Sequence, residues 1–155
     1  MNKIVSVWLT LSDGKNKGKI ALQKRSLKDS FPYVCQATWA GKVELGENTM
    51  AAIFRECKEE LGEEFFKNFD FSKLKLFCKC NFVMKKGKWQ ANNYIGKISQ
   101  ALLEKVKIHD EALKEFIFVG NSDAVYSIKS EKNPKDTTVL FDNDYEVFNK
   151  ILNGN

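Results

Sequence analysis

The chain has 155 residues, with 25 lysines and arginines against 20 aspartates and glutamates, a net charge of +5. That length predicts one domain over residues 1–155 with a real core, and the 43% hydrophobic content is ordinary for a soluble protein. No apolar run approaches the roughly 20 residues of a membrane span, the N-terminus has no signal-peptide pattern, and a single histidine rules out a histidine-rich metal centre. The expected setting is cytoplasmic, with no membrane contact and with Cys35, Cys57, Cys78 and Cys80 as reduced thiols.

Alternating apolar residues predict a strand over 4–11, a hairpin loop in SDGKNKGK and a return strand over 20–25. Residues 29–39 read as a loop leading to a short strand and a turn at Gly41. A helix is expected from about 48 to 61, then a hairpin of strands 74–84 and 89–98 around Lys85-Lys86-Gly87-Lys88. Cys78 and Cys80, two apart in a strand, point to one face and lack zinc-ligand spacing. A helix over 99–106 and a strand over 115–119 follow. Asn121 or Ser122 is suited to cap a helix running to about 130, and Asn133-Pro134 breaks the chain. The stretch Asp142 to Asp144 then caps a last helix with Val147, Phe148, Ile151 and Leu152 inward. Strands mixed with a few helices make the class α/β of the α+β type.

The stretch from 41 to 63, GKVELGENTMAAIFRECKEELGE, carries the chemistry. At about 100° per residue, Glu56, Glu59 and Glu60 share roughly one third of the helix circumference. Met50, Ile53, Phe54, Cys57 and Leu61 fall opposite, so the helix has a core face and an acidic face. Like charges three and four apart destabilise a bare helix, and a cation would neutralise them. Oxygen donors with spare coordination positions suit Mg²⁺ or Mn²⁺, which also bind substrate phosphates. Arg55 is placed to hold Glu59 or, across the loop, Glu47. Gly62 is a C-terminal stop, and Gly41 and Gly46 allow tight turns. The competing reading is a solvated charged face.

This segment resembles the Nudix hydrolase signature, G-x5-E-x7-R-E-U-x-E-E-x-G-U, in which U is bulky and aliphatic. Gly41, Glu47, Arg55, Glu56, Glu59, Glu60 and Gly62 all match. Cys57 and Glu63 depart from it at the two U positions, and the chain after Gly62 is expected to continue as loop or helix through Glu64, Phe65 and Phe66. The upstream LQKRSLKDSFP is similar to the Nudix subgroup related to isopentenyl-diphosphate isomerase. Ala40 and Lys42 stand where the isomerase has a cysteine and a histidine, which speaks against that activity.

The resemblance implies a Nudix fold, a mixed β-sheet sandwiched between α-helices. It also implies metal-dependent hydrolysis of a diphosphate bond in a nucleoside diphosphate linked to another group, such as a nucleoside triphosphate or nucleotide sugar. Glu56 and Glu60 are the expected main ligands of Mg²⁺ or Mn²⁺. Glu59 is a third ligand or water-orienting base, and the Gly41 carbonyl a further ligand. Glu47 is a structural partner of Arg55 or an outer ligand. A base from outside the helix is sought at Glu111, beside Asp110 and His109. Arg25, Lys28 and Lys42 are candidate phosphate contacts, and Trp39 and Trp89 candidate base-stacking residues. Lysines cluster at 15–19, 24–28 and 85–88, which leaves open an RNA 5′-end pyrophosphohydrolase. A non-catalytic nucleotide-binding module and a homodimer are further possibilities.

Overall fold

The computed structural model describes residues 1–26, 30–107, 113–128, 133 and 135–154. β1 (Asn2–Leu11) is a ten-residue strand whose pleat divides the core. Val5, Val7, Leu9 and Leu11 face one side of the sheet and Trp8 the other, as a period-two strand buried on both faces requires. β1 runs parallel to β6 (Gly87–Ile98) along its whole length, and β6 pairs antiparallel with β5 (Lys75–Met84). Cys78 and Cys80 do share a face of β5, with their sulfurs 3.8 Å apart.

On its other edge β1 serves two partners. Its first half, Ile4 to Val7, pairs with β4 (Trp39–Lys42), and Leu9 and Thr10 pair with β2 (Ile20–Arg25). β2 turns away to pair with β3 (Cys35–Gln36) and with β7 (Leu113–Val119). The sheet therefore forks between β4 and β2. It closes with β9 (Thr138–Leu140) and β8 (Val125–Ser127), which run parallel to each other.

α1 (Thr49–Leu61), α2 (Glu63–Asn68) and α3 (Gln100–Leu103) cover one face. α4 (Asp142–Leu152) packs Val147 and Phe148 on the other. The result is the expected mixed sheet between helices. Asn48 caps α1, its side chain accepting from the Ala51 N–H at 2.8 Å. Gly62, at φ 91°, ends α1, a conformation that favours glycine. The chain then enters α2 and buries Phe65, so Glu63 in place of an aliphatic residue costs no core contact.

Three expectations require correction. Residues 122–128 are not helical. Asp123 accepts from the Gly120 N–H at 2.8 Å in a turn, and Val125 and Tyr126, good strand formers, enter β8. Residues 129 and 130, where that helix was to end, lie outside the described residues. α3 is four residues rather than eight, because Ser99 caps it and turns close by Lys105. α4 begins at Asp142 with Phe141 in the cap position and no side-chain cap bond; Asp142 instead bonds the Ser127 hydroxyl. No helix among the described residues is long and apolar enough to cross a membrane.

Candidate active site

The acidic face of α1 lies against β4, and a glycine lets it approach. A Cβ at Gly41 would stand 2.0 Å from Cδ and 2.3 Å from Oε1 of Glu56. Gly41 is therefore required for space, not for a positive φ. Gly46, at φ 80°, is the position where the turn itself demands glycine.

Arg55 organises the carboxylates. Its Nε and Nη2 donate to the two oxygens of Glu47, both at 2.9 Å, in a side-on fork. Nη2 also donates to the Lys42 carbonyl at 2.8 Å, tying the helix to β4. Nη1 donates to Glu56 Oε1 at 2.7 Å and lies 3.4 Å from Glu59 Oε2. Of the two partners open to Arg55 in sequence, Glu47 holds it tightly and Glu59, 57% exposed, only loosely. Glu44, not singled out in sequence, donates its N–H to Glu47 at 3.0 Å and puts its carboxylate 3.6 Å from Arg55. Glu60 stands apart, with Oε2 accepting from the Ala40 N–H of β4 at 3.0 Å.

The electrostatics follow these contacts. The Arg55 hydrogen bond, helped by the Glu44 N–H, pulls the Glu47 carboxyl down to about 2. Glu47 in turn raises Arg55 above its usual range. Glu56 is pushed up by burial, against the pull of Arg55 and with Glu59 and Glu47 adding repulsion. Among the described residues no three ligating side chains stand together as a finished metal cage. Glu56, Glu59 and Glu60 are brought to one helix face beside the Gly41 backbone, the first two sharing Arg55 and the third held by the Ala40 N–H.

The pleat of β4 decides which of the other candidates reach the site. Trp39 pairs with Val7 and Gly41 with Val5, so both face α1, whereas Ala40 and Lys42, opposite Ser6 and Ile4, face the other way. Trp39 is thereby corrected from a stacking residue to a core residue. It is fully buried, its indole N–H donates to the Ile53 carbonyl at 3.1 Å, and Phe65, Phe69 and Phe71 meet it edge-on. Trp89 is also buried, with the Lys42 ammonium 5.3 Å from its ring centroid. Glu111, Asp110, His109 and Lys28 lie outside the described residues.

On the α4 side of β4 the fork in the sheet opens into a cavity of about 680 Å³. Ala40, Gly41 and Lys42 form one wall, and Arg25 with Gln36 another. The tip of the β5–β6 hairpin and the start of α4, Phe141 to Asp144, complete it. The Arg25 guanidinium lies 5.2 Å from the centroid of the Phe141 ring, which Phe31 meets edge-on. Arg25 and Lys42 thus line one cavity. Gln36, Phe141, Asn143 and Asp144 were not recognisable in the sequence as part of it.

The NUDIX domain profile matches residues 2–93, more than half of the chain. A search of curated proteins finds no match. Among solved structures, the NUDIX domain of Shewanella oneidensis NrtR, complexed with ADP-ribose, aligns with a TM-score of 0.64 at 12% identity, covering 96% of this chain and 84% of that one. The MutT NUDIX hydrolase from Burkholderia pseudomallei aligns at 0.58 and 16% identity over 97% of both chains. DR0079 from Deinococcus radiodurans aligns at 0.52 and 19% identity over 76% of this chain, which spans 66% of that longer protein. At such identities these structures establish the fold alone. The profile match, over a segment that holds the complete acidic helix, shows that the chain belongs to the Nudix family of hydrolases.

Proposed function

We propose that the protein hydrolyses a diphosphate bond in a nucleoside diphosphate linked to another group, such as a nucleoside triphosphate or nucleotide sugar, with Mg²⁺ or Mn²⁺ at the acidic face of α1. Residues 1–155 act as one domain in this reading. The observation that carries it is the gap at Gly41, which admits a half-buried Glu56 carboxylate that any side chain would displace. A burial that raises the carboxyl of Glu56 is unfavourable to the ionised form and makes sense for a ligand that meets a cation. The donor set fits a hard divalent ion, since every candidate, Glu56, Glu59, Glu60 and the Gly41 carbonyl, offers oxygen.

When bound, such an ion shields the diphosphate and activates a water for in-line attack. The chain's own residues do the rest. Glu56 and Glu60 are the main ligands, fixed by Arg55 and by the Ala40 N–H. Glu59, the most exposed of the three and the least held, completes the ligand set or takes the proton of the attacking water. Arg55 is a positioning residue, already engaged by Glu47 and the Lys42 carbonyl. Arg25 and Lys42 bind the substrate from the cavity. Glu111 stays a candidate for the base.

Purified protein is incubated with Mg²⁺ or Mn²⁺ and nucleoside triphosphates, nucleotide sugars, ADP-ribose, dinucleoside polyphosphates and 5′-triphosphate RNA, and released phosphate or pyrophosphate is measured. We expect metal-dependent turnover that Glu60→Gln lowers by about 100-fold or more with its melting curve unchanged. Wild-type turnover by that variant, or hydrolysis without metal, overturns the proposal.

A further inference from the structure

The cavity holds a carboxyl that the hydrolytic chemistry does not use. Asp144, in the first turn of α4, lines the cavity. Among the described residues no donor hydrogen-bonds to it, and Arg25 is its electrostatic partner. Burial lifts it to about 6 from an ordinary 3.8, with Arg25 pulling only partly back. Asp144 is only half-buried, so its carboxyl is open at the cavity to donors from a ligand.

The surroundings restrict what that ligand is. Phe31 and Phe141 provide aromatic surface, which suits a flat ring. Gln36 lines the cavity and gives its side-chain oxygen to Arg25 Nε at 3.4 Å, and the NH₂ group is the donor end of that amide. A cavity of about 680 Å³ is within the usual range for small-molecule sites, about 300–1,000 Å³. Ala40, Gly41 and Lys42, which line this cavity, belong to the same strand that α1 packs against.

An ionised carboxyl only accepts hydrogen bonds and has two oxygens side by side. Among the four common bases, guanine alone places two donors next to each other on its pairing edge, N1–H and the 2-amino group. Adenine and cytosine set an acceptor beside their amino group, and uracil flanks its one N–H with two carbonyls. We infer that the cavity is a guanine subsite, with the Asp144 carboxylate accepting from N1–H and the 2-amino group and the Gln36 amide donating to O6. This rests on the proposed hydrolysis for its connection to the diphosphate, but base recognition itself needs neither metal nor turnover.

The test is calorimetric titration of GMP, IMP and AMP into metal-free protein at pH 8. A bidentate base contact supplies about 10- to 100-fold discrimination, so GMP should bind that much more tightly than AMP. IMP, which keeps N1–H but lacks the 2-amino group, should fall between them. Asp144→Asn should abolish the order while Glu60→Gln keeps it. Equal affinities for GMP and AMP, an unchanged order in Asp144→Asn, or no binding of any monophosphate at millimolar concentration overturns the inference. Steady-state hydrolysis of GTP, ATP and 5′-triphosphate RNA beginning with G separates the two proposals. Equal, Glu60-dependent turnover of GTP and ATP leaves the hydrolase and removes the guanine subsite. Selective GMP binding without metal-dependent turnover of any substrate removes the hydrolase alone. GTP turned over in preference to the RNA identifies a free nucleotide, and the reverse identifies an RNA end.

Discussion

Two charged groups lie on either side of β4, and they are treated in opposite ways. On the α1 side, Arg55 donates to Glu47 twice, to Glu56 and to the Lys42 carbonyl. On the α4 side, Asp144 is half-buried, lines the cavity and accepts from none of the described residues. A saturated charge makes a fixed frame, since each bond restricts the others. An unsaturated one keeps its bonding capacity for something that arrives. One side of the strand thus serves geometry and, under the proposed base contact, the other serves recognition, and substitutions on the two sides should separate accordingly.

The largest effect is expected at Trp39, where the pleat puts an aromatic ring on the frame side. Trp39→Ala removes a fully buried indole and its bond to Ile53, and should cost about 3–5 kcal/mol of stability in a denaturant melt. The folded fraction should bind GMP as wild type does. If stability held and nucleotide affinity fell instead, the division of β4 into two faces would be wrong.

Next comes Gly41→Ala. The new Cβ would overlap the Glu56 carboxylate, and a shift of about 1 Å at a reacting group costs on the order of 100-fold in rate. Turnover and Mn²⁺ affinity should fall together while GMP affinity stays. A fully active alanine variant would show that the close approach of Glu56 does not matter. Arg55→Lys is milder. A point-charge ammonium cannot make the fork to Glu47 while also reaching Glu56 and Lys42, and turnover should drop about 10-fold. The carboxyl of Glu47, now at about 2, should rise toward its ordinary 4.5. Because a depressed carboxyl contributes stability above its unfolded value and loses it as pH falls through the folded one, wild type should lose that contribution between about pH 4.5 and 2, and the lysine variant should not.

The same division explains what the sequence made legible. The frame is local. Residues 41–62 fold into a strand end, one loop and one helix, so helical spacing alone brings Glu56, Glu59 and Glu60 together, and Glu47 and Arg55 are only eight residues apart. β1 and β2 were legible for the same reason, as neighbouring alternating runs. The recognition side is built from Arg25 and Gln36, the β5–β6 hairpin, and Asn143 and Asp144, which meet only because the sheet forks. No spacing rule connects them, and an aspartate opening a helix reads first as a cap. Trp39 was misread because its role depends on the parity of β4, which its partner Val7 fixes. β8 was missed because three residues paired in parallel with a distant strand leave almost no periodicity.

The smallest effect expected is also the one that isolates Asp144. Its folded carboxyl lies at about 6 against an ordinary 3.8. Below pH 3.8 the folded and unfolded chains both carry the proton, and Asp144 has no effect on stability. Between about 4 and 6 the folded state holds a proton that the unfolded state has lost, so stability falls as pH rises. Above 6 the full penalty is present. The pull of Arg25 is already part of that rise, and water at the half-buried carboxyl screens it further, so we expect a net of about 1 kcal/mol. Asp144→Asn should therefore melt at a higher temperature than wild type at pH 8 and at the same temperature at pH 3.5. GMP should narrow the difference at pH 8, because it supplies donors to the Asp144 carboxylate of wild type and gives the asparagine variant much less. A variant less stable than wild type at pH 8 would mean that the carboxylate already has partners in the folded protein, and the contrast between the two sides of β4 would no longer hold.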